Sequence, residues 1–166
     1  MSYNFKVGNA IIQYCKDDNY ICIDVEYMEH PDAPDHCPYT GKGNLKSPGY
    51  SQWLGFCEDA GITELFYGKG WDRDSRANKP CSDTFHRELC LIESHPGAAV
   101  ITEKDYLYVK AARIKREMMN AGKPAGYFED DNIDNGTDST LARLLWLEFW
   151  FKYAIDNCEY PVITNS

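Results

Sequence analysis

The segment Asp138–Asn157 constrains the fold of this chain more than any other stretch. Five of eight consecutive positions in it are aromatic, namely Trp146, Phe149, Trp150, Phe151 and Tyr153. Glu148, Lys152 and Asp156 follow an i, i+4, i+8 spacing, so they form one narrow stripe in which opposite charges pair favourably. A helix that is apolar around most of its circumference is either central to a fold or docked on a partner. We therefore predict a largely buried helix here, either in the domain core or in a homodimer.

The size and charge of the chain limit the classes of partner. The 166 residues suit one acidic domain, 1–166, with a sizeable core. With 43% hydrophobic residues the chain is too apolar to be disordered, even at a net charge of −9. That charge argues against binding to a nucleic-acid duplex or an anionic membrane, because both require clustered cations. An acidic surface favours a basic partner protein, or simply keeps the protein soluble.

Targeting signals and cysteine usage indicate a compartment. The first ten residues contain no apolar stretch of the kind that a secretory signal needs, and the last helix carries too many charges for a membrane span. The seven cysteines are scattered and form no C-x-x-C pair. We therefore expect a cytoplasmic protein whose cysteines are free thiols.

The N-terminal third has the pattern of a β-hairpin. Ile11–Cys15 leads into a turn composition at Lys16–Asn19, and Tyr20–Met28 alternates between two faces. One face of that alternation holds Ile21, Ile23, Val25 and Tyr27. The pattern predicts a hairpin with one covered face. The stretch His30–Gly49 is rich in proline and glycine, which indicates a long ordered loop or lid.

The middle of the chain predicts two helices. Ser47 is a suitable N-cap with Pro48 at the first helical position, and Gly61 lies past the end of that helix. Ile62–Tyr67 is a short apolar run that is either a strand or one more helical turn. Ser82 is the predicted cap of a second helix, which stops before residue 95.

A third helix precedes the aromatic one. Thr102 with Asp105 resembles a capping box, and Gly122 ends the helix that it opens. The face predicted to be buried holds Leu107, Ala111, Ile114 and Met118. With the last helix this gives an α+β fold, in which about four helices pack against an N-terminal β-hairpin or small antiparallel sheet.

An acidic loop before the last helix is a candidate metal site. Oxygen ligands alternate at Asp130, Asn132, Asp134 and Asp138, close to a glycine, as a calcium loop requires. However, the glycine comes one place late, and Leu141 stands where a bidentate glutamate should complete the ligand set. The alternative is a turn in which Thr137 or Asp138 caps the following helix.

Two further groups would suit a metal-dependent enzyme. The first is a zinc candidate made of Cys81, His86, Cys90 and His95, although it lacks the usual close pair of ligands. Its alternative is a buried thiol beside surface histidines. The second is Asp24 with Glu26, which could do acid–base work or hold Mg²⁺, or could keep the hairpin soluble.

The predicted ligand site combines two lysines with neighbouring aromatic residues. Lys42 and Lys69 are each flanked by glycines, with Tyr39 and Trp71 close in sequence. Glycines let a phosphate approach the backbone, lysine supplies charge, and an aromatic ring can stack on a base. We predict a small anionic ligand, such as a nucleotide, where these two loops meet, with Arg73 as a further cation. The alternative is two ordinary surface turns.

The end of the chain resembles a known class of proteins. Leu145–Ala154 and Pro161–Ser166 are similar to the C-termini of small accessory proteins of tailed bacteriophages. The resemblance implies a protein that binds a host factor or sequesters a host signal, and it carries over no functional residue. The sequence therefore favours a non-enzymatic protein, without a cofactor, that binds a host protein or a small anionic ligand. The alternative is a metal-dependent enzyme that uses the acidic loop or the Cys/His group.

Overall fold

The computed structural model describes residues 2–16, 20–34, 42–67, 98–124, 126–128 and 138–165. Its strands are β1 (Phe5–Asn9), β2 (Ile11–Cys15), β3 (Tyr20–Asp24), β4 (Leu45–Lys46), β5 (Ala98–Val100) and β6 (Pro161–Asn165). Its helices are α1 (Tyr50–Ala60), α2 (Thr63–Tyr67), α3 (Glu103–Asn120) and α4 (Ser139–Asn157). The predicted α+β class is confirmed, because helices pack against a four-stranded antiparallel sheet that is accompanied by a β-hairpin.

The sheet joins the two ends of the chain. Its order is β4-β1-β6-β5, and the central strands β1 and β6 pair from Phe5 opposite Asn165 to Asn9 opposite Pro161. Alternation along β1 places Phe5 and Val7 on the helix-covered face. Local sequence patterns do not reveal β1, β5 or β6. These strands have five residues or fewer, and three consecutive residues of β6 are buried, so β6 lacks the alternation that reveals a half-buried strand.

Helix α4 lies in the centre of the core, as predicted. Its buried residues are Thr140, Ala142, Leu144, Trp146, Leu147, Trp150, Phe151 and Ala154. The helix packs against α3, α1 and β1. The indole N–H of Trp146 donates to the carbonyl of Gly43 at 3.0 Å, which satisfies a donor that is costly to bury alone. Among the described residues α4 is therefore a core helix of the domain.

The other face of the sheet is covered by the chain that follows β3. A Cβ on Gly8 would lie 2.8 Å from Cγ1 of Val25, so a side chain at position 8 would displace that valine. Lys6 reaches the carboxylate of Asp24 at 3.1 Å. Partial burial raises the pKa of Asp24, but hydrogen bonds from the Val25 N–H and from Lys6 outweigh it and lower the pKa overall.

The predicted hairpin is present, but its covered face is shorter than expected. Strands β2 and β3 pair from Ile11 opposite Asp24 to Cys15 opposite Tyr20. Ile23 and Val25 are buried as predicted. The placement of Tyr27 on the covered face is wrong, because its ring is exposed. The chain leaves the strand after Asp24, so the two-residue alternation no longer decides which side chains point inward.

The start of α1 differs from the prediction, and its end agrees with it. Helix α1 begins at Tyr50 after Gly49, two residues later than predicted, because the hydroxyl of Ser47 donates to the side chain of Asn4 and does not cap the helix. Gly61 ends α1 in the left-handed conformation, with φ 71°, as predicted. The run after it is the short helix α2 and not a strand.

Candidate functional site

Helix α3 begins as the sequence predicts. The Asp105 N–H donates to Oγ1 of Thr102 at 3.3 Å, and the Thr102 N–H donates to Oδ2 of Asp105 at 2.8 Å. This reciprocal capping box satisfies two backbone donors that the helix itself leaves unpaired. The helix then runs for 18 residues along α4 and ends at Asn120.

The prediction of the buried face of α3 is wrong. Leu107 is 52% exposed, Ile114 is 41% exposed and Met118 is 73% exposed, while Ala111 is also exposed. Met119 extends this surface, and we call the five residues the outer stripe. An open depression of about 550 Å³ near the end of the helix is lined by Ala111, Ile114, Met118 and Met119 of the stripe and by Lys115. The aliphatic face that the sequence pattern identifies is therefore directed away from the described core.

Ion pairs occupy the inner side of α3 instead. Arg113 Nε donates to Oε2 of Glu148 at 2.6 Å, and Nη2 donates to Oε1 at 2.8 Å. Its Nη1 also reaches Glu117 at 2.9 Å. The hydrogen bonds that Arg113 donates to Glu148 raise the pKa of Arg113 above its ordinary value. Among the described residues of α3, Val109 is the one that is fully buried.

A second arginine ties α3 to the start of α4. Arg116 binds the carboxylate of Asp138 through both Nε and Nη2, and Nη2 also lies 3.1 Å from Oδ2 of Asp59. Asp138 accepts from the side chain of Asn120 at 3.0 Å and from the Thr140 N–H at 3.1 Å, which makes it the N-cap of α4. Partial burial raises the pKa of Asp138, but these donors outweigh burial and lower it overall.

Helix α3 is therefore inverted relative to an ordinary amphipathic surface helix. Its arginines point inward and are held by carboxylates, which is the condition under which charged groups are found buried. The side chains of the outer stripe point outward together, whereas Val109 lies in the core. Single exposed apolar residues are common, but contiguous patches mark interaction sites. The outer stripe is accordingly the strongest candidate interaction surface of the described residues.

The charges beside the outer stripe have a pattern. Helical geometry places Lys104 and Lys115 along one flank, and Glu103, Lys110 and Glu117 along the other. Lys104 and Lys115 form no ion pair with any residue that the structure describes. The stripe thus combines apolar side chains with two ammonium groups that are available to a partner.

A second depression, a groove, runs along α4. It has a volume of about 440 Å³, and Phe149 and Tyr153 line it from α4, with His30 and Tyr106 on its walls. Of the predicted charged stripe on α4, Lys152 pairs with Asp156 as expected, whereas Glu148 pairs with Arg113 of the neighbouring helix.

The predicted ligand site lies mostly outside the described residues. This applies to Tyr39, Lys69, Trp71 and Arg73. Lys42 is described, and its ammonium group donates to the carbonyl of Pro31 at 2.5 Å. The anionic-ligand site therefore stays a prediction.

The predicted metal sites also lie mostly outside the described residues. Asp130, Asn132 and Asp134 lie outside the described residues, while Asp138 is the capping residue engaged by Arg116. The Cys/His group at Cys81, His86, Cys90 and His95 also lies outside them. The described part of the chain contains no group of three or more His, Cys, Asp or Glu residues that could hold a metal ion. Both metal sites stay predictions.

The paired carboxylates and the thiols can be placed in part. Asp24 forms the ion pair with Lys6, and Glu26 is exposed to solvent. Of the described cysteines, Cys22, Cys57 and Cys158 form no disulfide bond. Burial raises the pKa of the Cys158 thiol, so it is less reactive than an exposed cysteine.

No protein family, curated protein or solved structure matches this chain. None of the helices in the described ranges is long and apolar enough to cross a membrane.

Proposed function

We propose that this chain is a non-enzymatic binding protein that recognises a host protein through the outer stripe of α3. One observation carries the proposal: the aliphatic face of α3 is exposed while its arginine face is buried. Exposing three large apolar side chains costs about 25 cal/mol per Å² of apolar surface that could have been buried. A protein partner would recover that free energy. The resemblance to phage accessory proteins supports a partner from the host cell.

The charges around the outer stripe indicate which kind of partner would bind there. Two copies of α3 packed antiparallel would bring each flank against itself, so that Lys104 would face Lys115. Two copies packed parallel would bring Lys110 near Lys115. The antiparallel arrangement places like charges together, whereas the parallel one sets Lys110 against Lys115 but also brings Glu103 and Glu117 near Lys104 and Lys115. A partner with an apolar helix face and carboxylates beside it would pair with the lysines instead, and an amphipathic helix in a shallow groove is a common form of recognition.

The experiment uses a variant of the stripe and a matched control. Leu107→Ser, Ile114→Ser and Met118→Ser together remove most of its apolar surface. The control replaces three exposed residues of the hairpin, Ile11→Ser, Ile12→Ser and Tyr14→Ser. The wild-type protein, the control and the stripe variant are each used to capture proteins from a bacterial lysate. We expect a protein that binds specifically to the wild type to bind to the control as well, but not to the stripe variant. Binding of the captured protein, once purified, should show the same difference by calorimetry.

Stability and oligomeric mass decide between the remaining explanations. If the stripe is a free surface, its substitution should change the free energy of unfolding by about 0.5 kcal/mol or less per site. A much larger loss would show that the stripe is covered within the chain itself, and the proposal would fail. A wild-type dimer that the stripe variant dissociates would assign the surface to a second copy. Equal capture by all three proteins would also reject it.

A further inference from the structure

The groove along α4 has the dimensions of a peptide site. A row of residues one helical turn apart lines it, namely Leu145, Phe149, Tyr153 and Asn157. At 1.5 Å per residue this row spans about 18 Å. His30 faces the row from the loop after β3, and Tyr106 faces it from α3. A long open groove of this kind suits an extended chain better than a compact small molecule.

Aromatic rings form the floor of the groove. The rings of Phe149 and Tyr153 have centroids 6.5 Å apart and planes that differ by 18°. The ring of His30 lies 5.4 Å from Phe149 and 5.5 Å from Tyr153. A polyproline II helix has three residues per turn, so every third side chain of such a ligand would face this aromatic floor. All three rings are half-buried, which leaves part of each surface for a ligand.

The charges of the groove are already neutralised by the protein. Glu148 is held by Arg113, and Asp156 lies 3.1 Å from the ammonium group of Lys152. Lys152 also lies 5.4 Å above the ring of Tyr106. A charged ligand would have to compete with these pairs. The groove is therefore better matched to an uncharged, apolar peptide.

The hydrogen-bonding groups select the peptide conformation. The backbone of α4 is hydrogen-bonded within the helix, so it cannot form a strand ladder with a bound peptide. Proline has no N–H, so it loses no hydrogen bond in such a groove, whereas the carbonyls of the peptide still need donors. The hydroxyls of Tyr106 and Tyr153 form no hydrogen bond with a described residue. Both residues line the groove, so their hydroxyls can donate to those carbonyls.

We infer that this groove binds a proline-rich segment of another protein in the polyproline II conformation. A row of about 18 Å accommodates about six residues of such a helix. Aromatic grooves are a recurring way of recognising this conformation, because the ligand is already ordered before it binds. The site is separate from the outer stripe of α3 and does not depend on the function proposed for it.

The test measures binding of a labelled oligoproline peptide of about ten residues to the full chain by fluorescence anisotropy. A glycine–serine peptide of equal length is the control ligand. We expect saturable binding of oligoproline and none of the control. Tyr106→Phe and Tyr153→Phe should each weaken binding about threefold to tenfold, because each removes one hydrogen bond. Phe149→Ser should weaken it further.

Matched variants make the result interpretable. Tyr160 is 57% exposed outside the groove, so Tyr160→Phe should leave the affinity unchanged. The stripe variant of α3 should also bind oligoproline normally. The inference is overturned if wild-type protein does not bind oligoproline saturably, if the glycine–serine peptide binds equally, or if the double Tyr→Phe variant keeps full affinity. Tighter binding of an alternating valine–threonine peptide would overturn the polyproline conformation.

Discussion

The guanidinium of Arg113 on α3 binds the carboxylate of Glu148 on α4 through two parallel hydrogen bonds of 2.6 and 2.8 Å. Both side chains are largely buried, with 20% and 15% of their surface exposed. A bidentate pair has a defined geometry as well as favourable energy. It therefore fixes the rotation of α3 about its axis, and that rotation is what turns the outer stripe away from the core.

This pair should be strongly coupled. We expect Arg113→Ala and Glu148→Ala each to lower the free energy of unfolding by about 2–3 kcal/mol. The first leaves the largely buried Glu148 carboxylate without this partner, and the second leaves Arg113 only the more exposed Glu117. The double variant should lose clearly less than the sum, and urea denaturation of the four proteins measures the difference. The exposed pair Lys152–Asp156 is the control and should show much weaker coupling. Additive effects at Arg113 and Glu148 would contradict the assignment.

The central tryptophan of α4 should be one of the most sensitive positions. Trp150 is fully buried, so Trp150→Ala should destabilise the protein by about 3–5 kcal/mol through lost burial and the cavity left behind. Chemical denaturation gives the value directly. Tyr160→Ala, at an exposed position, should change stability by about 0.5 kcal/mol or less. A small effect of Trp150→Ala would mean that α4 is not the core helix.

The Asp138 cap should make stability depend on acid pH. Its folded-state pKa lies below the ordinary value of 3.8. The stabilisation is therefore present above about pH 4 and is lost as the pH falls through the folded-state pKa. Asp138→Asn should lower stability at neutral pH and flatten the decline on acidification. Denaturation between about pH 6 and pH 2 tests this, with Asp156→Asn as the exposed control. If the free energy of unfolding of Asp138→Asn fell on acidification as much as that of the wild type, the prediction would be wrong.

Asn44 should contribute more to the free energy of unfolding than its position in a loop suggests. Its side chain is buried, donates to the carbonyls of Val7 and Glu26 at 2.9 Å each, and accepts from the Met28 N–H at 2.9 Å. Asn44→Ala leaves these three groups without that partner and should cost about 2–4 kcal/mol. Thermal and urea unfolding measure the loss, and Gln13→Ala on the exposed strand β2 is the comparison. Equal stability of the two variants would show that solvent replaces the asparagine.

The strongest local patterns were sufficient to predict several elements. The aromatic run in α4 predicted a buried helix because almost any orientation of so apolar a helix must bury large side chains. The hairpin β2–β3 followed from a turn composition between two β-like runs. The capping box at Thr102 and the glycine after α1 marked helix ends, because these signals act through adjacent backbone groups.

The tertiary structure decided what local patterns could not. Periodicity identified an aliphatic face and an arginine face on α3, but not which one points inward. That choice depends on Glu148, 35 residues after Arg113, and on Asp138, 22 residues after Arg116. The pairing of β1 with β6 likewise joins residues at opposite ends of the chain. The sequence by itself determined the class of the fold and its central helix, since those follow from local hydrophobicity. The exposed surface of α3 and the groove along α4 arise from contacts between distant residues, which only the folded chain brings together.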